Sequence, residues 1–377
     1  LILGTVFWLT YTVGTPLQNL LEDLVGRLAE AVWAALTPVA PTWLVALLTD
    51  GVLGGVGAVL IFLPILALFF AALAFLEDVG YMARAAYVMD GVMHRMGLHG
   101  KSFLPLFLGF GCNVPAILGT RVIESRRARL LTILLAPLVP CTARLAVIAF
   151  LAPAFFGRAA LAVSWMLILL SLLVLTATGV VLNRVLFRGR RSAFIMELPL
   201  YHLPNWRTIG LSVWQRSLSF IRKAGTVILA MSVAVWVLSA FPGGDVEGSY
   251  LARLGRWLEP VGRLAGMDWR LTVALLSSFV AKENSVATLG VLFRASEEGL
   301  TDLLASVYPP SVGLAYLVVQ TLFIPCVATV GAIRQETNSW KWTLFSVGLL
   351  LMISFLAGAM VYQAADRLAH FFPQALP

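Results

Sequence analysis

Three cysteines lie beside residues that interrupt helices. Residues 109–115 read Gly-Phe-Gly-Cys-Asn-Val-Pro, and proline–cysteine dipeptides follow at 140–141 and 325–326, all within apolar runs. Glycine lacks a Cβ atom and proline lacks a backbone N–H group, so both weaken a helix. Broken helices at membrane depth are tolerated where they are buried in protein or line a watery cavity, which predicts that a solute is handled here. The alternative is close helix packing around inert, buried cysteines.

These breaks offer oxygen and sulfur ligands together. The prolines are predicted to lie mid-helix, where each leaves the carbonyl four residues earlier without its usual partner. Carbonyl oxygens suit hard cations, whereas thiolates suit borderline or soft ions such as Fe²⁺, Zn²⁺ or Cu⁺. Three intramembrane thiols, Cys112, Cys141 and Cys326, therefore favour a transition metal. Thiols spaced along a route fit transport better than a closed four-cysteine site, which would hold its ion too tightly.

Charged residues inside apolar spans are costly and need a partner or a role. Arg144 lies three residues after Cys141, on nearly the same helix face, where its charge would stabilise a thiolate or pair with a carboxylate. Lys282 and Glu283 interrupt a later apolar run, and Glu283 is the best-placed carboxylate for a cation. The alternative is that these two residues form an ion pair that only stabilises the break.

Two further groups complete the candidates. Glu77 and Asp78 follow an apolar span and are predicted either to form a vestibule for the cation or to solvate a turn at the membrane interface. The residues predicted to shape or gate the breaks are Gly109, Gly111, Asn113, Pro115, Pro140, Arg144, Lys282 and Pro325.

The composition is that of a membrane protein. Of 377 residues, 60% are hydrophobic and only 12% are charged, and the mean hydropathy is +0.90. Apolar runs long enough to cross about 30 Å of hydrocarbon recur along the chain. The net charge of +8 comes from Lys and Arg residues clustered in short loops between these runs. This distribution fits membrane topology and anionic lipid, and it argues against nucleic acid as a partner.

The predicted fold is an all-α polytopic membrane protein with about eight transmembrane helices, some broken or re-entrant. Arginine-rich connections predict the cytoplasmic side, and residues 103–120 begin and end there, so they are predicted to be re-entrant. Residues 271–293, 312–333 and 344–362 are predicted to cross in turn, which places both termini in the cytoplasm. Because Leu1 lies inside an apolar run, we expect the chain to be part of a longer protein.

Five segments are predicted along the chain. Residues 1–50 carry the end of a transmembrane helix and an outer amphipathic connector. Residues 51–187 and 218–363 are two repeats, and residues 188–217 between them are a basic cytoplasmic connector. Residues 364–377 are a cytoplasmic tail. The repeats show as paired interruptions, at residues 109–116 and 279–286, each followed by a Pro-Cys dipeptide. Paired breaks in two halves point to a transporter with a site near the bilayer midplane.

Six motifs follow one another in a distinctive order. They are Leu-Glu-Asp-Val-Gly-Tyr-Met-Ala-Arg-Ala-Ala at 76–86, Gly-Lys-Ser-Phe at 100–103, Gly-Phe-Gly-Cys-Asn-Val-Pro at 109–115, Met-Glu-Leu-Pro at 196–199, Ala-Lys-Glu at 281–283 and Ile-Pro-Cys at 324–326. In this order they resemble the membrane domain of the ferrous iron transporter B (FeoB) family. The resemblance covers residues 51–362.

The resemblance implies a fold, a function and a site. It implies two Gate-type inverted repeats, a bacterial inner-membrane location, and Fe²⁺ as a transported substrate with no tightly bound cofactor. It implies Cys112 and Cys326 as residues of the iron route. The candidate metal ligands are, in full, Cys112, Cys326, Glu283, Cys141, Glu77 and Asp78.

The expected partners are Fe²⁺, the lipid bilayer, small Feo accessory proteins, a further copy of the chain, and a cytoplasmic GTPase domain that precedes the membrane domain in the family. GTP hydrolysis is expected only in that domain, because the chain itself holds no Walker motif and is predicted to be a transporter domain rather than an enzyme. Two other functions stay open. The Gate repeat resembles that of nucleoside transporters, so the solute could be nucleoside-like, and some Gate-containing proteins are membrane scaffolds or sensors that transport nothing.

Overall fold

The computed structural model describes residues 2–38, 40–98, 100–186, 203–241, 248–293 and 297–371. Within these ranges all regular structure is helical, and no strand occurs. The helices are α1 (Ile2–Leu36), α2 (Thr42–Ala46), α3 (Gly54–Asp78), α4 (Tyr81–Arg95), α5 (Phe103–Gly111), α6 (Asn113–Gly119), α7 (Arg126–Leu135), α8 (Thr142–Phe156), α9 (Ala160–Val185), α10 (Trp206–Phe220), α11 (Thr226–Ala240), α12 (Tyr250–Arg263), α13 (Trp269–Ser277), α14 (Asn284–Phe293), α15 (Glu297–Val307), α16 (Pro310–Leu322), α17 (Val327–Thr337) and α18 (Trp340–Phe371).

Four helical stretches among the described residues are long and apolar enough to cross a membrane. They are Thr42–Asp78, Arg126–Val185, Pro310–Thr337 and Trp340–Arg367. The second of these contains α7, α8 and α9. The chain is therefore an all-α polytopic membrane protein, as predicted from its composition, while the number of crossings stays a prediction.

The helices form two compact units. The first comprises Leu1–Gly91 and Ala193–Leu238, and the second comprises Val92–Ser192 and Ser239–Pro377. Each unit draws segments from both predicted repeats.

The first unit is built on α3, which packs against α1 and α10. α1 is one helix of 35 residues, whereas the sequence predicted a helix end near residue 13 and a separate connector. Pro16 lies inside α1 without ending it, and leucines at helical spacing after it favour continuation of the helix. Gly57 of α3 lies against Val25 of α1, where a Cβ atom would come within 2.7 Å of Val25 Cγ1.

The core of the second unit is α16. Every residue of α16 from 315 to 322 is buried, and the helix packs against α8 and α18. Nearby, Asp268 begins α13 by accepting the Leu271 N–H at 2.9 Å, and the Tyr308 hydroxyl donates to the same carboxylate at 2.7 Å. Burial, and then the charge of Asp268, raise the pKa of the Tyr308 phenol, which therefore stays a donor at neutral pH.

Two pairs of short helices sit in this unit. α5 packs against α6, and α13 packs against α14. Thr288 Oγ1, in the second turn of α14, donates to Ser277 Oγ at the end of α13 at 2.7 Å. A helix of ten residues spans about 15 Å, which is half the hydrocarbon core. This geometry fits the re-entrant segment predicted at residues 103–120, and it recurs at residues 269–293, where the sequence predicted a crossing.

The end of α17 lies beside the segment that follows α6. Glu336 accepts hydrogen bonds from Arg121 Nη2 at 2.6 Å and from Arg129 Nη2. The predicted topology placed residue 336 on the outer side and both arginines on the inner side, so this part of it is wrong. The conflict disappears if residues 269–293 are re-entrant, because α16 and α17 then cross toward the side of Arg121.

We expect this revision to move the C-terminus to the outer side, because α18 crosses once more after Glu336. An alkaline phosphatase fused after Pro377 should be active, and a green fluorescent protein fused there should be dark. Fusions that end at residue 124 serve as the inner reference. The reverse pattern at the C-terminus would contradict the re-entrant assignment of residues 269–293.

Candidate functional site

The first break is one extended residue between α5 and α6. Cys112 has φ −153° and ψ 132°, and it is half-buried. Pro115 lies in the first turn of α6, where a missing N–H is tolerated. The Gly111 carbonyl, which the sequence predicted to be unpaired, accepts the Thr142 hydroxyl at 3.0 Å. The break is therefore satisfied by a side chain from the start of α8.

Gly109 and Asn113 lie on either side of this break. A Cβ atom on Gly109 would stand 3.0 Å from Val139 Cβ and 3.2 Å from Asn113 Oδ1, so glycine allows this close approach. Asn113 is 3% exposed, and its Oδ1 makes no hydrogen bond within the described part of the chain. A buried acceptor without a partner costs about 1–3 kcal/mol, and such groups in native structures call for an explanation.

The two proline–cysteine dipeptides end helices instead of kinking them. Pro140-Cys141 lies between the 3₁₀ turn Ala136–Leu138 and α8, and Pro325-Cys326 lies between α16 and α17. The prediction that they lie mid-helix is therefore wrong. The Ala136 carbonyl, predicted to be free, accepts the Val139 N–H at 3.1 Å. The physical reason is that a residue preceding proline avoids helical angles, and Val139 is extended.

All three thiols occupy the same kind of backbone position. Each cysteine directly precedes the first residue of a helix, which is α6 for Cys112, α8 for Cys141 and α17 for Cys326. Glu283 holds the same place before α14, and, like Cys112, it is followed by an asparagine. The partial positive charge of a helix N-terminus favours thiolates and carboxylates. Each half of the chain thus presents two groups that can be anionic at the start of a helix.

Within each half, the residue after the Pro-Cys dipeptide is bonded to the break of the short helix pair. In the first half this is the bond from Thr142 Oγ1 to the Gly111 carbonyl. In the second half the Val327 N–H donates to the Phe279 carbonyl at 2.8 Å. The two halves therefore use the same position to bond the break of their short helix pair. The first half uses a side chain, and the second half uses the backbone.

Arg144 joins the two halves. It is 1% exposed, and its Nη2 donates to the Phe323 carbonyl at 2.6 Å while its Nη1 donates to the Pro137 carbonyl. The sequence predicted a thiolate or carboxylate partner for this cation. The guanidinium instead satisfies backbone carbonyls at one break of each half, although it lies within Coulombic range of Cys141 and Cys326.

Lys282 is a second buried basic side chain at the breaks. It is 2% exposed, and its Nζ lies 5.1 Å from the centroid of the Phe323 ring, a cation–π contact. Its Nζ makes no hydrogen bond among the described residues, so the ion pair with Glu283 that was one alternative at the sequence level is not formed. It lies within Coulombic range of Arg144, Cys141, Cys326 and Glu283.

The candidate ligands of the second unit lie near one another. Cys112 is within Coulombic range of Cys326, Cys141 and Glu283, and Cys326 Sγ stands 3.3 Å from Thr329 Oγ1. Across the described part of the chain, no three His, Cys, Asp or Glu side chains form a group that could enclose a metal ion.

Glu77 and Asp78 belong to the first unit and hold the end of α3 to α10. Glu77 Oε2 pairs with Arg216 Nη2 at 3.0 Å, and Asp78 Oδ2 accepts the Asn205 N–H at 2.7 Å. Their part in a vestibule stays a prediction. The Met-Glu-Leu-Pro motif at 196–199 lies outside the described residues.

Three residues of the site were missed at the sequence level. Thr142 supplies the hydroxyl that bonds the Gly111 carbonyl. Phe323 supplies the carbonyl that accepts from Arg144 and the ring beside Lys282. Thr329 supplies a hydroxyl that contacts the Cys326 thiol. Thr329 could have been found, because it follows Cys326 by three residues as Arg144 follows Cys141. The contact between Arg144 and residue 323 has no local signal, since 179 residues separate the two positions.

Comparison with known proteins identifies the family of this architecture. The model of the Gate family, described as nucleoside recognition, matches residues 59–155 and 221–340. The chain belongs to the Gate family. One Gate match lies inside each predicted repeat, and residues 164–216 match the model for the C terminus of ferrous iron transport protein B. No solved structure matches the chain.

The chain is also similar to proteins that are named as Fe(2+) transporters. It is 36% identical over 95% of its length to a protein named Fe(2+) transporter FeoB from Methanocaldococcus jannaschii, covering 55% of that protein. It is 37% identical over 96% of its length to a Staphylococcus aureus protein of the same name, covering 56% of it. A fusion protein from Porphyromonas gingivalis, named Fe(2+) transport protein A/Fe(2+) transporter FeoB, is 36% identical. The family resemblance seen in the motifs is confirmed, and the chain spans about half the length of these curated relatives.

We expect Arg144→Gln to destabilise the Gate chain strongly. It leaves the Pro137 and Phe323 carbonyls without their donor, at about 1–3 kcal/mol for each buried acceptor. Thermal unfolding of detergent-solubilised protein, followed by tryptophan fluorescence, should show a lower midpoint. Arg334→Gln is the matched control, because Arg334 donates to the Asn338 side chain and lies over the Trp340 ring near the end of α17. Equal midpoints for the two variants would contradict the bridging role of Arg144.

Proposed function

We propose that this chain is the membrane part of a ferrous-iron transporter and that Fe²⁺ passes the four helix breaks of the second unit. One observation carries the proposal: Cys112, Cys141, Cys326 and Glu283 occupy equivalent helix starts, and both Cys112 and Cys141 lie within Coulombic range of Cys326 and Glu283. Fe²⁺ accepts both sulfur and oxygen ligands. The relatives named Fe(2+) transporter FeoB support Fe²⁺ as the cargo.

The ligands of the ion would be side chains more than backbone carbonyls. The carbonyls of Gly111, Pro137 and Phe323 already accept hydrogen bonds from Thr142 and Arg144. We therefore assign the ligand role to the Cys112 and Cys326 thiolates and the Glu283 carboxylate, with Cys141 beside them. Glu77 and Asp78 are proposed as further ligands, in a vestibule.

A buried positive charge would keep the ion from staying bound. Arg144 is buried, and it lies within Coulombic range of Cys141 and Cys326. Conduction requires binding that is strong enough to admit an ion and weak enough to release it. The positive charge of Arg144 beside these thiols weakens the net attraction for Fe²⁺ and so favours release.

The wider setting is also part of the proposal. The chain would lie in the bacterial inner membrane and work with a cytoplasmic GTPase domain in the full-length protein, which would carry the GTP hydrolysis. The fusion of an Fe(2+) transport protein A with one relative supports small Feo accessory proteins as partners. Iron is cargo here, and no tightly bound cofactor is proposed.

We expect Cys112→Ser and Cys326→Ser each to lower Fe²⁺ flux roughly ten- to a hundredfold, the loss typical of disturbed metal ligation. Flux would be measured anaerobically in liposomes that hold a metal-sensitive dye and contain the purified chain. Ser164→Ala is the control, because Ser164 bonds only the Ala160 carbonyl within α9. Unchanged flux in both cysteine variants would remove the thiols from the route.

The same liposomes test the cargo. Mn²⁺, Zn²⁺ and a nucleoside are added as competitors, the last because the matching Gate model is described as nucleoside recognition. Competition by divalent metals alone is the expected result. Nucleoside uptake without metal flux would replace the proposal with the nucleoside alternative, and the absence of any flux would favour a scaffold or sensor.

A further inference from the structure

Two helices connect the candidate thiols to an ion cluster around the buried Glu336 side chain. α6 begins after Cys112 and α17 begins after Cys326, and the two helices pack against each other. Their starts lie together, because the two thiols are within Coulombic range. Their far ends are joined by Arg121, which follows α6, and Glu336, near the end of α17. The helices therefore run parallel, with the thiols at one end and the ion pair at the other.

The ion pair has the geometry of a strong contact. The Arg121 guanidinium donates to Glu336 through Nε at 2.9 Å and through Nη2 at 2.6 Å. Arg129, in the first turn of α7, donates to the other carboxylate oxygen. The Glu336 side chain is 2% exposed, while those of Arg121 and Arg129 are 61% and 32% exposed. Bidentate, charge-assisted hydrogen bonds of this kind are among the strongest in proteins.

The cluster also lies at a particular depth. Ten residues separate Cys326 from Glu336, which corresponds to about 15 Å along a helix. This is about half of the hydrocarbon thickness. A group at that distance from a midplane site stands near a membrane surface, and the arginine-rich segment at 121–129 marks that surface as the inner one.

We propose that Glu336, Arg121 and Arg129 form the inner gate of the route past Cys326. The cluster joins the first repeat to the second at the inner end of α6 and α17, and it must open before an ion leaves the thiols toward the cytoplasm. This inference rests on the proposed route, but its test does not use iron.

The test measures the reactivity of Cys326 from the inner side. In a Cys112→Ser/Cys141→Ser background, a membrane-impermeant thiol reagent is added to inside-out proteoliposomes, and the rate of labelling at Cys326 is followed by mass spectrometry. With the cluster intact, labelling should be slow. Glu336→Gln should accelerate it at least about tenfold, because it removes the charge that holds both arginines.

The matched control is Glu124→Gln. Glu124 pairs with Lys101 at 2.7 Å and is 86% exposed, and the hydrogen bond and charge of Lys101 lower the pKa of its carboxyl, so it is ionised at neutral pH. This variant removes a neighbouring carboxylate charge without touching the cluster. Its labelling rate should equal that of the background protein.

A second variant guards against misfolding. Arg121→Ala changes a largely exposed side chain and leaves Arg129 on Glu336, so the protein should fold and label at an intermediate rate. Background-level labelling in both Glu336→Gln and Arg121→Ala would overturn the gate, as would acceleration only from the outer side. Because labelling needs no transport, a failed gate and a failed iron route would be told apart.

Discussion

A backbone that stops being helical inside a membrane must find hydrogen-bond partners within the protein, because lipid offers none. The second unit interrupts helices at four places, and each interruption is met by a donor from another segment. Thr142 bonds the Gly111 carbonyl, Val327 bonds the Phe279 carbonyl, and Arg144 bonds carbonyls on both sides of the repeat boundary. The arrangement of the thiols depends on this network, since each cysteine lies in or beside one of the interruptions.

The network also explains why a cation is buried next to a proposed cation route. A neutral donor could bond one carbonyl, but the planar guanidinium of Arg144 reaches a carbonyl in each half at once. Its charge lies within Coulombic range of Cys141 and Cys326. In the proposed route, the charge that bonds the breaks together also helps to release a bound cation.

Much of this arrangement could be predicted from the sequence, but its geometry could not. Glycine and proline act locally, so disturbed helices at Cys112, Cys141 and Cys326 could be predicted from them, and the break at Glu283 could be predicted from charged residues within an apolar run. Whether proline kinks a helix or ends it depends on neighbours, and the extended Val139 before Pro140 decided that outcome. The contacts of Arg144 with residue 323 and of Arg121 with Glu336 join distant segments. Such pairs leave no pattern in a single sequence, and the second of them reversed part of the predicted topology.

In the proposed route, Fe²⁺ meets sulfur at these breaks. X-ray absorption at the iron edge, measured on the purified chain loaded anaerobically with Fe²⁺, can detect such contacts. We expect sulfur scattering at about 2.3 Å, the length of metal–thiolate bonds, and its loss in a Cys112→Ser/Cys326→Ser double variant. Iron surrounded only by oxygen and nitrogen, with a spectrum that the double variant leaves unchanged, would contradict the claim.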